Sequence, residues 1–574
     1  MARADKWTAA RVLDEIAQYV ALNDPNRFKS RAFERAARAV ENLDEDIDVL
    51  VGSGKLLSVP GIGKSVGAVI VEVVNTGESR YLDELRAQYP AGIFDLLRVP
   101  GLGLGKIGQL HQELGVGSLD ELEAAAREGR LAKLRGFGPK TQTKVLEGIE
   151  KARRRESQHL LPTGLQLGER MRERLAKIDE IEDAEIVGSV RRRLEVIRNV
   201  NIAIATRKPA VVVKALERIV DRLEEVDEHT YRGVLASEID VWFHLAAPAE
   251  FGTRIVETTG SREFVEALDQ ASGLRPQAAD EKQFFEKLGV PYIEPERRES
   301  PEVLVRKKRP RLVEPSDLRG TFHVHTTFSD GRNTVLEMLT AARERGFDYV
   351  GISDHSPAAF YANGLTVERL REQHAEIARR EPDVAPMRVF RGTEADILPD
   401  GSIDYGDAVL STLDFVVASI HSRFNMPKDE MTERILKAVD DPCVTFLGHL
   451  TGRLLLSRDG YSVDYDRIFD RAAERGVLVE INGNPHRLDV DWRHIPKAIE
   501  RGVMFVINPD AHSIAEMSHV ISGTWVARKA GLTPKEIFNT RGVEEVAEWL
   551  NSRHPEPRRR RRIAAERDPS LRSG

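Results

Sequence analysis

The apolar positions along this chain change their period twice. Between residues 7 and 50 they recur every three or four residues, at Val12, Ile16, Tyr19 and Val20 and then at Phe28, Phe33 and Val40, which predicts amphipathic helices. From Leu161 to Glu296 the pattern is mixed: Ile186-Val187 runs into a Gly188-Ser189 turn, followed by runs over Val200–Ala205 and Ser237–Phe243. Beyond residue 317, short apolar runs at Thr321–Val324, Tyr349–Ile352, Arg388–Arg391, Phe415–Ile420, Val444–Leu447, Val477–Ile481 and Val503–Ile507 alternate with helical stretches. Seven strands in a βα pattern imply parallel pairing and a closed barrel. The predicted fold is multidomain α/β, with a helical N-terminal region, a mixed α/β middle and a C-terminal (βα)7 barrel.

Composition narrows the setting. At 574 residues the chain exceeds a single core, so two to four domains are expected. Residues are 41% hydrophobic and 31% charged, and no apolar run reaches the roughly 18 residues of a membrane span. The N-terminal Met1–Trp7 lacks the apolar core of a signal peptide. A single cysteine, Cys443, excludes intramolecular disulfides and cysteine zinc clusters. These features point to the cytoplasm. The net charge of -7 argues against a whole-molecule attraction to nucleic acid, although basic runs stand at Arg191–Arg193, Arg306–Arg309 and Arg558–Arg562. The last of these reads as a disordered basic tail.

One turn recurs three times in the helical region. It is Val59-Pro60-Gly61-Ile62-Gly63-Lys64, then Val99-Pro100-Gly101-Leu102-Gly103 with Lys106 close behind, then Leu134-Arg135-Gly136-Phe137-Gly138-Pro139-Lys140. The first glycine permits positive φ, and the helix that follows offers free N–H groups to an anion. A single copy would be ordinary helix capping. Three copies point to helix-hairpin-helix binding of a nucleic-acid backbone without sequence specificity.

The hairpins, then Gly188-Ser189 with its downstream strands, then Thr259-Gly260-Ser261 together resemble the family X DNA polymerases in their long bacterial form. The resemblance implies a nucleotidyl-transfer palm with an Asp-x-Asp pair and a third aspartate holding two Mg²⁺ ions. Here the pair reads Asn199-Val200-Asn201, and only Asp240 survives. Neutral amide oxygens are poor ligands for a hard cation, so Mg²⁺ binding in the palm is doubtful, and roughly three or more decades of rate are expected to go with it. The aromatic pair that the family usually carries before Thr-Gly-Ser is Glu257 and Thr258, the thumb from Ser261 to Pro295 looks contracted, and the position of the lyase lysine of some relatives is Val69. Polymerase activity is therefore expected to be lost or weak.

The barrel carries the remaining chemistry. His323 and His325 end its first run, with Asp330 close behind; an i, i+2 pair in an extended chain faces one side and suits a metal. Later runs lead into Asp354-His355, Glu394, His421, His449, Asn482 and Asp510-Ala511-His512. Active sites of such barrels lie at the strand C-termini. This pattern resembles the PHP (polymerase and histidinol phosphatase) domain. The resemblance implies that His323, His325, Asp330, His355, Glu394, His421, His449, Asp510 and His512 hold up to three Mn²⁺ ions, with Zn²⁺ or Fe as alternatives. Glu394 is expected to bridge, Asp354 to orient a ligand imidazole, and Arg423 and Arg453 are candidates for substrate phosphate. His374, His486, His494 and His519 read as surface or helix residues.

The expected domains are residues 1–90 and 91–158 with the hairpins, a palm and reduced thumb over 159–296, a linker at 297–316, a PHP domain at 317–550 and a tail at 551–574. The expected function is DNA repair: a Mn²⁺-dependent 3′–5′ exonuclease or DNA phosphodiesterase acting on gapped, nicked or 3′-ended DNA, with no membrane partner. A working gap-filling polymerase with the same nuclease is the alternative.

Overall fold

The computed structural model describes residues 6–24, 28–41, 43, 47–235, 239–272, 275–305 and 309–553. It divides into two compact units, Met1–Glu156 and Ser157–Gly574. The basic runs at 306–308 and 558–562 and the start of the Ser237–Phe243 run lie outside the described residues.

The first unit is helical. Helices Lys6–Leu22, Phe28–Glu41, Lys64–Thr76, Leu104–Leu114 and Pro139–Glu156 surround one core in which Ile16, Tyr19, Phe33, Val40, Ile70, Leu110 and Ile149 are buried. Phe28 departs from the periodic expectation: it opens its helix and is 75% exposed. Residues 1–90 and 91–158 share this core rather than forming two. Tyr19 packs edge-on against Phe94 at 4.6 Å, and Gly108 crosses Leu22 so closely that a Cβ would fall 1.8 Å from the Leu22 carbonyl oxygen.

The second unit contains two sheets of consequence. A five-stranded mixed sheet runs in the order Asp183–Val187, Asn199–Ala205, Asp240–Ala246, Thr230–Val234, Arg222–Asp227. Its parallel pair, Asn199–Ala205 with Asp240–Ala246, sets Asn199 directly beside Asp240. The second sheet is all parallel in sequential order: Gly320–Thr321, Tyr349–Ile352, Arg388–Asp396, Phe415–Ser419, Phe446–Leu447, Leu478–Asn482 and Phe505–Asn508. It forms a nearly closed barrel. The first and last strands approach through a bridge between Val324 and Ala511, with His325 N donating to Ala511 O at 2.9 Å and Ala511 N to His323 O at 3.2 Å. Phe322, Phe415 and Phe446 fill one end of the core, a buried aromatic cluster that leaves the other end for polar side chains.

Within this unit the palm and barrel are joined by buried charges. The segment expected as a linker is threaded with short 3-10 turns, and its Glu296, Arg298, Val303 and Val313 are buried. Arg528 donates to Glu296 at 2.8 Å, and Arg493 pairs with Glu195 at 2.6 Å. Lys529 is 2% exposed, donates to Glu299 at 2.6 Å and to the Arg192 carbonyl at 3.0 Å, and lies over the Trp492 ring. Burial pushes the Lys529 ammonium down to about 8, against the opposing pull of Glu299. Below that pH both folded and unfolded lysine are charged, and the full cost of burying the charge weighs on the fold. Above it the folded lysine loses its proton while the unfolded one keeps it up to about 10.5, so stability rises with pH across that window. We expect the stability difference between wild type and Lys529→Met to climb by up to about 3 kcal/mol from pH 8 to 10.5 in urea unfolding, and a flat difference would contradict the assignment.

Candidate metal centre and nucleic-acid interface

The barrel rim gathers its imidazoles around one carboxylate. Glu394 lies inside the third barrel strand rather than after it, fully buried. Its Oε2 sits 3.3 Å from His323 Nε2, 3.6 Å from His325 Nε2 and 2.9 Å from His355 Nδ1; its Oε1 sits 3.3 Å from His421 Nε2 and 3.0 Å from His449 Nε2. Asp510 Oδ1 lies 3.4 Å from His325 Nε2 and 3.6 Å from His323 Nε2. Asp330 reaches His512 at 3.4 Å and His355 at 3.7 Å. The His325 ring stacks between those of His355 and His512, at 4.5 and 4.2 Å. All nine residues expected from the sequence therefore converge on one place.

His323 and His325 lie just past the formal end of the first strand, on backbone kept extended by the Ala511 hydrogen bonds. That course turns both rings inward, and each is fully buried. Burial alone would strip the proton from His323, but Glu480, Glu394 and Asp510 outweigh it and hold its pKa well above the ordinary value. Burial together with the charges of His512 and His355 pushes His325 down to about 3. His421 is raised to about 9 despite burial, by Glu394 and Asp396. The imidazoles around it hold Glu394 well below the usual carboxylate range although burial opposes them.

A metal fits this donor set. His323 Nε2, both His325 nitrogens, His355 Nδ1, His449 Nδ1 and both Glu394 oxygens are buried without a hydrogen-bond partner among the described residues. Each such orphan costs about 1–3 kcal/mol, so the cluster is built for something that accepts lone pairs. The ligand atoms fall into three groups, each within 4.8 Å: His325, Asp330, His355 and His512; His323, His325 and Asp510; His355, Glu394 and His421.

Several contributors were not singled out from the sequence. Glu480, buried in the sixth strand, accepts from His323 Nδ1 at 2.6 Å and from His449 N at 2.7 Å; the signal was a carboxylate interrupting the apolar run Val479-Glu480-Ile481. Asp396 accepts from His421 Nδ1 at 2.7 Å, two residues after Glu394 on the same strand. Arg487 sets Nε 3.2 Å from Asp510 Oδ2 while its buried Nη1 has no hydrogen-bond partner among the described residues.

Other expectations are corrected. Asp354 orients no imidazole: it accepts from Thr326 N and Oγ1 at 2.7 and 2.6 Å, and from Ser329 and Gln373, bracing the loop behind His325. Arg453 is consumed by Asp491 and by the carbonyls of Arg487 and Leu488, whereas Arg423 is exposed beside His421. His494 stacks on Tyr465 at 3.7 Å, whereas His486 is exposed as expected.

The palm position is filled differently. Asn201 donates to Asn199 Oδ1 at 2.7 Å, and His244 Nε2 lies 3.0 Å from Asn201 Oδ1. Burial pushes that histidine down to about 4. Asp240 accepts from Arg232 Nε at 2.8 Å and Nη2 at 2.7 Å, and Arg232 also pairs with Glu224 at 3.2 Å. A guanidinium thus already pairs with Asp240. Gly188, at φ 69°, lies against Asn201, where a Cβ would come within 2.9 Å of the amide nitrogen, with Ser189 next in its short helix. Thr259 and Ser261 are buried against Arg191 and the Glu299 carbonyl, and Glu257 pairs with Arg275 at 2.8 Å.

The three hairpins share one geometry. Gly61, Gly101 and Gly136 have φ of 95°, 86° and 85°; the hydrophobes between the glycines, Ile62, Leu102 and Phe137, are buried, and each donates its N–H three residues back at 3.1 Å. Gly63 and Gly103 cap the following helices, and Gly138 precedes the helix starting at Pro139. Lys64 and Lys140 are exposed, while Lys106 donates to Gly101 O at 3.0 Å and lies over Phe137. Val69 is buried in its helix.

The chain thus combines a barrel whose rim gathers metal-type donors with a helical unit that carries three glycine hairpins of one geometry. Family models agree: a helix-hairpin-helix domain matches residues 5–79, a SAM-like helix-hairpin-helix tandem residues 93–151, and the PHP domain residues 321–484. The chain is 34% identical over 562 residues to the DNA polymerase/3′-5′ exonuclease PolX of Bacillus subtilis (strain 168), covering 94% of this chain and 98% of that protein. It belongs to the PolX family. Its barrel part is also similar to a probable phosphatase of Thermoanaerobacter sp. (strain X514), 25% identical over 40% of this chain and 94% of the relative, and to one of Photobacterium profundum, 28% identical over 40% and 93%.

Replacing Glu480 by Gln removes the charge that fixes His323. We expect divalent-metal affinity in calorimetric titration to fall about 10–100-fold with the circular dichroism unchanged.

Proposed function

We propose that this chain is a bacterial DNA-repair protein, acting in the cytoplasm at the nucleoid, whose barrel is a Mn²⁺-dependent 3′–5′ exonuclease and DNA phosphodiesterase. What carries the reading is the contrast between two sites: buried donors without partners around Glu394, and a palm whose donors are already satisfied. His323, His325, Asp330, His355, Glu394, His421, His449, Asp510 and His512 would hold up to three ions, with Zn²⁺ or Fe also suited to imidazole and carboxylate. Such ions supply an acidified water and neutralise charge on phosphoryl oxygens. The chain's own part is positional. Glu394 ties five imidazoles to one point, Glu480 and Asp396 set the tautomers of His323 and His421, and the free Nη1 of Arg487 offers a charge-assisted donor to a phosphate oxygen.

The hairpin glycines, with Lys64 and Lys140, would hold the backbone of gapped, nicked or 3′-ended DNA, with Lys106 bracing its own turn. Residues 1–90 and 91–158 would act together as one hairpin-bearing body, and the palm over 159–296 as a DNA-holding platform for the PHP domain at 317–550. End trimming or abasic-site incision falls within the same chemistry. A second reading, gap-filling synthesis alongside the nuclease, draws on the similarity to the DNA polymerase/3′-5′ exonuclease of Bacillus subtilis.

Incubating labelled primer–template with Mn²⁺, with and without dNTPs, separates the two. Shortening without extension is expected; ordinary extension would overturn the palm reading. His325→Ala should lower degradation by about three decades or more while leaving DNA binding in place. Arg487→Ala should cost about 10–100-fold in kcat/KM, the worth of one charge-assisted hydrogen bond. In the palm, Asn199→Asp/Asn201→Asp should restore less extension than the same pair combined with Arg232→Ala, because Arg232 competes with any cation for Asp240.

A further inference from the structure

Phe360 and Tyr361 stand on a 3-10 turn, Phe360–Ala362, five residues after His355, and neither the fold nor the ligand cluster uses their rings. Phe360 is 85% exposed and Tyr361 58%. Their planes meet at 78° with centroids 6.1 Å apart. The Tyr361 ring lies 6.4 Å from that of His355 and 6.3 Å from that of His421, so it borders the cluster.

The turn beneath them is fixed. Ala359 and Ala362 are buried. Ala359 N donates to Ser356 O at 3.1 Å, Ala358 N to Asp404 Oδ2 at 2.7 Å, and Leu365 N to His355 O at 2.8 Å. Asn363 takes the left-handed conformation at φ 56° and donates its amide to the carbonyls of Phe328 and Ser329 at 3.3 Å. Gly364 passes so near Ser356 that a Cβ would lie 1.9 Å from its carbonyl oxygen. A scattered exposed hydrophobe needs no explanation. Two adjacent aromatics on a braced turn, one of them against the imidazoles, present a fixed apolar face at a site otherwise made of charge.

We propose that Phe360 and Tyr361 form the subsite for the terminal nucleobase of the DNA strand whose phosphodiester enters the metal centre. The inference rests on the nuclease reading above and names its substrate contact. The cluster provides for the phosphate; the attached base has a flat apolar face, and an aromatic ring is its complement, tolerant of sequence because every base has such a face. A base must leave its duplex stack to lie on these rings, so the platform favours frayed or unpaired ends.

The test is a cycle on the full-length protein with Mn²⁺, using DNA that ends in an ordinary nucleotide or in an abasic tetrahydrofuran residue. Wild type should lose about 10–100-fold in kcat/KM, mainly through KM, when the terminal base is removed. Phe360→Ala/Tyr361→Ala should cleave the ordinary end more slowly by that factor and be indifferent to the base. Equal sensitivity of both proteins to the base overturns the proposal, as does a variant slowed alike on both ends. A second readout is independent of turnover. In a His325→Ala background, terminal 2-aminopurine fluorescence should be quenched on binding and recover when both aromatics are removed; unchanged quenching also overturns the subsite. If wild type cleaves neither end, the nuclease reading fails on its own, and the fluorescence still decides whether a base stacks there.

Discussion

Glu394 is the constraint on which the barrel depends. One carboxylate with no exposure faces five imidazoles from four other segments of the barrel. A buried anion is tolerable only where cations or donors surround it; His323 and His421, whose pKa values are raised, can donate to it, whereas burial pushes His325 and His449 down and leaves them poor donors. The arrangement therefore has an electrostatic appetite that its own side chains do not meet. Asp510 and Asp330 extend the same logic outward, and Glu480 and Asp396 anchor the far ring nitrogens. The polar end of the barrel is possible because the opposite end is filled by Phe322, Phe415, Phe446 and their neighbours, which supply the burial that holds the strands together.

The palm solves the opposite problem. Its strands place Asn199, Asn201 and Asp240 side by side, the positions from which carboxylates would call for cations. Two amides hydrogen-bond to each other, a neutral histidine joins them, and Arg232 holds Asp240. Each of these groups already has a partner, so an entering cation would have to break an existing pair. The same unit thus contains one cluster whose buried donors lack partners among the described residues and one whose side chains pair with each other.

The junction between palm and barrel shares this use of charge. Lys529, Arg192 and Glu299 form a buried set, with Arg528 and Glu296 beside it. Charged pairs of this kind give geometric definition more than net stability, since removing one partner leaves the other stranded. They tie the Arg192 turn and the 296–299 segment to the barrel helix His519–Ala530.

The sequence by itself determined the elements and named the nine histidines and carboxylates that the barrel brings together. The period of the apolar positions placed the barrel strands, the repeated glycine turns carried their own positive φ, and eight of the nine histidines and carboxylates followed a strand end, Glu394 lying inside its strand, because barrel topology brings strand C-termini to one rim. Local pattern was sufficient wherever the signal was local. It failed where function depends on what lies across the fold. Glu480 and Asp396 read as strand residues until the barrel closed around His323 and His421, Asp354 turned to Thr326 and Ser329, and Arg453 was claimed by carbonyls that only packing brings near. Arg232 is eight residues from Asp240 in sequence, yet only antiparallel pairing aims its guanidinium at that carboxylate. Phe28 and Phe360 show the same limit for hydrophobes, since periodicity names apolar residues but burial is decided by what packs over them. Tertiary structure alone settled which charges were paired and which were left waiting.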